Sequence, residues 1–375
     1  MKHSMLLRLL SSVAPPRHRP SRRSLRRSIT YFRRLSANST AFSLPVCCSR
    51  RRIRQYRSSR VIADMDAGNL LDKAKRPVDF RLCKVFGSTT ELLEIQAENP
   101  TFHVLFITGN PGVASFYKDF VESLYNFLDG NASITAIGHI SHTSKDWESG
   151  RLFSLQEQID HKMDFIRQEL RDVKVPIVLV GHSVGAYISL EMLRKCLDKV
   201  IYCVGLYPFL ALNRQSLKQS YIVKLAMSSF LSTTASLLIA SLGLLPMGVS
   251  RLFVSKFIGN SWSDAAVQAA CTHLRQYHTM RNVLFMAKTE FTKLAEEPDW
   301  DFMRENQSRL AFLYGIDDHW GPLQMFEEIS KQAPGIPLSI EREGHTHGFC
   351  CTVAGSTWVA QYVATLVKDR ISQLQ

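Results

Sequence analysis

The stretch PIVLVGHSVGAYISLEMLRKCL, residues 176–197, constrains the fold more than any other part of the chain. Its first half is a continuous, β-branched apolar run, the pattern of a strand buried on both faces. From Ala186 onward the apolar residues recur at helical spacing. Gly181, Ser183 and Gly185 occupy the junction. A strand that turns at once into a helix brings two backbones together, and side chains at the glycine positions would clash. A serine on such a turn stands at the carboxyl end of the sheet. The match to Gly-x-Ser-x-Gly is weak alone, since chance supplies it in about one chain in ten of this length. Read in isolation, the segment also allows a tight turn with a small residue in it and no chemistry.

The order of elements around it narrows the choice. Apolar runs bounded by turn residues occur at 80–86, 91–96, 103–108, 133–139, 177–181, 200–207, 309–315 and 337–343. The first two are close enough, across GSTT, to form an antiparallel hairpin. Helix-period segments at 115–130, 152–173, 186–197 and 352–371 alternate with the later runs. Alternation of this kind predicts βαβ units, hence an α/β fold with a mostly parallel central sheet. Between about Phe209 and Ser308 no strand pattern recurs. The expected organisation is therefore a core of residues 78–208 and 309–372, with 209–308 inserted as a helical cap between the sixth and seventh candidate strands.

A serine hydroxyl is too weakly acidic to attack an ester unaided, so a catalytic reading requires a base, a residue that orients it, and donors for the oxyanion. In the α/β-hydrolase order, the acid follows a strand downstream of the cap and the histidine follows the last strand. RLAFLYGIDDHWGP offers Asp317 and Asp318, and PLSIEREGHTHGFC offers His345 and His347. The first oxyanion donor would be the backbone N–H of Val184, the residue after the nucleophile. The second is expected from the loop after the third strand, where HVLFITGNPGVASFY suggests the Asn110 N–H. That loop lacks the Lys-Ser/Thr of a P-loop and the spacing of a dinucleotide fingerprint. With no metal-ligand cluster either, no cofactor is expected.

Taken together, TGNPGVASFYKDF, VGHSVGAY, LYGIDDHWGP and HGF resemble the lipid droplet-associated hydrolase family, over about Val78 to Leu366. The resemblance implies an α/β-hydrolase with Ser183 as nucleophile, Asp318 as acid and His347 as base. The family's acid precedes a small residue and Trp, which selects Asp318 over Asp317. Its histidine precedes a small residue and Phe, which selects His347 over His345. This chain departs in having His319 where a small residue is usual.

Charge bears on partners. The net charge of +13 comes from 46 basic and 33 acidic residues, but residues 1–63 hold 16 of the basic ones and no acid. The remainder is therefore slightly acidic, which removes the case for a nucleic-acid partner. Residues 1–64 form an Arg- and Ser-rich leader expected to be disordered. It fits a transit peptide, and it equally fits sequence upstream of a start at Met65. The eight cysteines show no CxxC pair and read as reduced, buried thiols, with 47–48 and 350–351 the only adjacent pairs.

Between Lys224 and Arg251 lie 26 uncharged residues, 225–250. Length alone would allow a span, but abundant Ser and Thr and breaks at Gly243, Pro246 and Gly248 favour a hairpin or two short helices. Such a segment would insert into a droplet or membrane surface, or cover an acyl pocket. The leading expectation is a serine esterase cutting a lipid ester, of the sterol ester or acylglycerol class, at the lipid droplet. The alternative is a droplet-binding or tethering protein that keeps the fold and turns over little. The endoplasmic reticulum surface or cytoplasm is the second location, and a plastid or mitochondrion follows if the leader is a transit peptide.

Overall fold

A computed structural model describes residues 77–374 except 260. The leader at 1–64 and the pair Cys47–Cys48 lie outside the described residues. The eight expected strands are all present: β1 (Asp79–Val85), β2 (Ser88–Ile95), β3 (Phe102–Ile107), β4 (Ala132–Ile137), β5 (Ile177–His182), β6 (Val200–Leu206), β7 (Leu310–Gly315) and β8 (Leu338–Glu341). They form one sheet in the order β1-β2-β4-β3-β5-β6-β7-β8. β2 runs antiparallel to β1 and β4, and β3 onward is parallel.

Eleven α-helices follow the chain in the described residues: α1 (Lys118–Phe127), α2 (Leu155–Glu169), α3 (Val184–Lys195), α4 (Leu217–Met227), α5 (Ser229–Leu242), α6 (Met247–Phe253), α7 (Asp264–Ala269), α8 (Tyr277–Lys293), α9 (Trp300–Glu305), α10 (Leu323–Gln332) and α11 (Val353–Leu374). The pleat sends alternate residues of the central strands to opposite faces. Leu105, Ile107 and Leu179 join one core with α2 and α3. Val104, Phe106, Val178 and Val180 join the other with α1 and α11. Both faces being covered, β3, β5 and β7 are buried at every position, which is why their sequences are apolar apart from His103 and His182.

Two boundaries and one helix differ from the sequence reading. β2 starts at Ser88, because the hairpin turns on Phe86 and Gly87 alone, both at positive φ (42° and 101°). The helix expected from 152 begins at Leu155, where Ser154 and Glu157 form a capping box. Helix α10, the crossover between β7 and β8, had no sequence expectation. Among the described residues, the segment between β6 and β7 holds six α-helices, α4 to α9, and no strand. Residues 225–250 are divided among the end of α4, all of α5 and the start of α6. No single helix among the described residues is long and apolar enough to cross a membrane; α4 and α5 together form a pair bent by 96°.

Candidate active site

Four loops meet at the carboxyl ends of the parallel strands, as α/β sheets favour. Ser183 follows β5, Asp318 follows β7, His347 follows β8, and Gly109-Asn110 follow β3. Ser183 has φ 56° and ψ −125°, an uncommon backbone conformation for a side-chain-bearing residue. The glycines beside it make that turn fit. A Cβ on Gly181 would strike the carbonyl of Gly185 and sit 2.6 Å from the Ala186 nitrogen. One on Gly185 would strike the Ile107 carbonyl and lie 2.6 Å from the Thr108 oxygen. Helix α3 therefore starts in direct backbone contact with both β5 and the end of β3.

His347 Nε2 lies 2.9 Å from Ser183 Oγ, and its Nδ1 lies 2.8 Å from Asp318 Oδ2. Among the two doublets, Asp318 is buried and joined to His347, whereas Asp317 is exposed and His345 packs against Trp358 at 6.0 Å. Burial alone would raise the Asp318 carboxyl, but the charge and hydrogen bond of His347 and the Trp320 N–H at 2.8 Å outweigh it and hold it below its usual range. An ionised Asp318 fixes Nδ1 as the protonated nitrogen, leaving Nε2 to accept from the serine hydroxyl.

The loop after β3 passes over the serine, since a Cβ on Gly109 would be 3.1 Å from Ser183 Cβ. Among the described residues, the backbone N–H groups of Asn110 and Val184 have no protein acceptor. The Asn110 side chain turns toward the cap, where Nδ2 donates to the Val283 carbonyl at 3.0 Å and to Glu290 at 2.8 Å.

Two residues here carried no expectation from sequence. His182, the variable position of the motif, donates from Nε2 to the His347 carbonyl at 2.9 Å and so must accept at Nδ1, from the Tyr117 hydroxyl at 2.7 Å. Tyr117 in turn accepts from the Gly109 N–H at 3.1 Å. Burial, helped by the neighbouring His347, pushes His182 down to about 3, so its ring stays neutral. One buried chain of hydrogen bonds thus joins the loop after β3 to the loop that carries His347. Above the site a cavity of about 200 Å³ is walled largely by apolar residues of the cap, among them Leu225, Ala235, Ile239 and Phe291. Cys350 and Cys351 also line it, as free and buried thiols.

Comparison with known proteins agrees with this architecture. Among solved structures, an epoxide hydrolase from Vigna radiata superposes with a TM-score of 0.58 at 14% identity, covering 79% of this chain and 100% of the other. A monoglyceride lipase from Saccharomyces cerevisiae gives 0.55 at 12% identity, covering 79% and 96%. These likenesses show the α/β-hydrolase fold. In sequence, the lipid droplet-associated hydrolase of Gallus gallus is 26% identical over 307 residues, covering 77% of this chain and 91% of that protein. That of Dictyostelium discoideum is 26% identical over 289 residues, covering 69% and 86%. The profile of the family described as lipid-droplet associated hydrolase matches residues 100–350, and the chain belongs to that family.

Proposed function

We propose that the protein is a serine esterase that cuts lipid esters at the surface of lipid droplets. The observation that carries this reading is the hydrogen-bonded path from Asp318 through His347 to Ser183, at the floor of an apolar cavity. Ser183 Oγ attacks the ester carbonyl carbon while His347 Nε2 takes its proton. The negative charge that develops on the carbonyl oxygen is met by the N–H groups of Val184 and Asn110, each worth about 3 kcal/mol in the transition state. His347 returns the proton to the departing alcohol oxygen, leaving an acyl-enzyme. Water then attacks the acyl carbon as His347 accepts its proton, and the acid leaves as Ser183 is re-protonated. Asp318 keeps the imidazole in one tautomer and balances its transient charge.

The cap supports work at a lipid surface. Helix α5 turns Ala235 and Ile239 inward, while Phe230 (78% exposed), Leu237 and Leu238 face outward with Leu244 (87%) beyond its end. Lys218, Lys224, Arg251 and Lys256, all exposed, bracket this apolar segment in the sequence. An exposed apolar surface of this kind inserts into a lipid boundary, and flanking cations meet its head groups. The same face would serve a protein that only attaches to droplets, the second reading. Ser183→Ala separates the two. On phospholipid-coated ester emulsions both forms should bind, and the variant should lose more than about a thousandfold of fatty-acid release. Binding by both with no release by the wild type would leave the tether reading standing.

A further inference from the structure

The cavity above Ser183 is apolar except near its rim with the core, where a buried carboxyl enters it. Glu290, on cap helix α8, is 4% exposed and lines the cavity. Its Oε1 accepts from Asn110 Nδ2 at 2.8 Å. No hydrogen bond to its Oε2 is seen among the described residues, the one carboxyl contact being that of Oε1 with Asn110. Because Glu290 lines the cavity, the carboxyl edge not held by Asn110 is the one available to a ligand there. Among the described residues no Lys or Arg lines the cavity and its only histidines are His182 and the triad's His347, so no permanent cation there would balance a charge on Glu290 or on a ligand. Burial raises the carboxyl to about 8, against the smaller lowering by Asn110. At neutral pH the group is accordingly a carboxylic acid, one donor and one acceptor.

Its position matters as much as its protonation. Asn110, which holds Glu290, is the residue whose backbone N–H serves as second oxyanion donor in the function proposed above. The loop it belongs to passes directly over Ser183, with the Gly109 Cβ position 3.1 Å from Ser183 Cβ. A group bound by Glu290 would lie close to the scissile bond. An alkyl hydroxyl is the matching partner, because it can donate to one carboxyl oxygen and accept from the other. A phosphate or a carboxylate is not, because no permanent cation lines the cavity among the described residues.

We infer that Glu290 forms a hydroxyl-recognising subsite, and that the ester cut at Ser183 bears a free hydroxyl near the scissile bond. Mono- and diacylglycerols have such a group; triacylglycerols and sterol esters do not. The inference rests on Ser183 being the nucleophile and selects a substrate class for it. An analogue without the hydroxyl leaves a buried polar group unpaired, which makes recognition of this kind discriminating.

The test compares 1-oleoylglycerol with its 2,3-di-O-methyl ether in mixed micelles, for the wild type, Glu290→Gln and Glu290→Leu. The wild type should favour the hydroxyl ester in kcat/KM by about tenfold to a hundredfold. Glu290→Leu should bring the two esters to within about threefold of each other, and Glu290→Gln, which still donates and accepts, should keep an intermediate preference. Loss of the Asn110 contact alone slows both esters together and leaves their ratio unchanged. An unchanged ratio in Glu290→Leu, or no preference in the wild type, overturns the inference. Fluorophosphonate labelling of Ser183 in each protein identifies which claim has failed. A labelled wild type without preference rejects only the subsite, whereas an unlabelled wild type inert on both esters rejects the esterase and the subsite with it.

Discussion

Replacing Tyr117 by Phe deletes one oxygen from the hydrogen-bonded chain behind Ser183, and its cost can be worked from its neighbours. The ring is 2% exposed and packs against Phe106 at 4.6 Å and Phe349 at 6.4 Å between centroids, contacts that Phe preserves. The hydroxyl accepts from the Gly109 N–H and donates to His182 Nδ1. Its removal leaves both groups buried and unpaired, at about 1–3 kcal/mol each, so the expected loss of stability is about 3 kcal/mol. Tyr314 supplies the control, because its ring is fully buried and its hydroxyl has no partner among the described residues. Tyr314→Phe removes an oxygen that made no bond and should be neutral or stabilising. Urea unfolding at neutral pH, with midpoints compared at unchanged slope, measures the difference. Tyr117→Phe should also lower kcat, because the Gly109-Asn110 loop loses its tether. Equal stability of the two variants, within about 0.5 kcal/mol, would refute the chain as a source of order at the site.

Glycine substitutions test the turn itself. Gly185→Ala drives a Cβ into the Ile107 and Thr108 carbonyls, backbone that cannot rotate away, and should cost more than about 3 kcal/mol or prevent folding. Gly248→Ala, with nothing within 4 Å and a helical setting, should be slightly stabilising in the same thermal melt. Acid should destabilise the fold, because burial holds His103, His142 and His182 at about 4, 3 and 3. Below about pH 6.5 these three sites alone take up three protons in the unfolded chain that the folded chain refuses, a share of about 4 kcal/mol of stability per pH unit to which the buried His139 and His161 add in the same direction; a flat profile between about pH 6 and 5 would contradict this. Glu290 acts at the other end. Its folded value is raised, to about 8, so the stability it contributes is complete below the ordinary carboxyl range and gone above about pH 8. Between about pH 6 and 9 the wild type should lose roughly 3 kcal/mol more than Glu290→Gln in urea titrations.

What the sequence revealed follows from how local each constraint is. Strands β3, β5 and β7 are buried on both faces, so every residue carries the signal and the sheet was legible. The start of β2 was not, because Ser88, Thr89 and Thr90 are polar. Thr90 is nonetheless fully buried and donates to the Gly138 carbonyl at 2.8 Å, a partner 48 residues away. Helix α10 was missed although Leu323, Phe326 and Ile329 recur at helical spacing and pack on the core, because it is only 10 residues long and opens after Pro322 without a side-chain cap. The serine turn, the acid and the histidine each follow a strand and could be found by order alone. The choice within Asp317–Asp318 and His345–His347 needed the resemblance, because adjacent side chains differ only in the direction they take in three dimensions. Glu290 had no signal at all: a glutamate on an amphipathic helix ordinarily faces water, and its burial comes from the core loop that meets it. Tyr117 and His182 were equally silent, 65 residues apart and joined by one hydrogen bond. The inserted segment is the mixed case. Its lack of charge was plain, but only the packing separates the residues of α5 that wall the cavity from those that face outward.

The central claim is that Ser183 is a nucleophile activated by His347. The most direct measurement is labelling of the full-length protein with a fluorophosphonate, followed by peptide mapping. The expected result is a single adduct on the peptide containing Ser183, absent in Ser183→Ala and strongly slowed in His347→Ala while both variants unfold with wild-type cooperativity. Labelling elsewhere, or an adduct on Ser183 that forms equally fast without His347, would contradict the account.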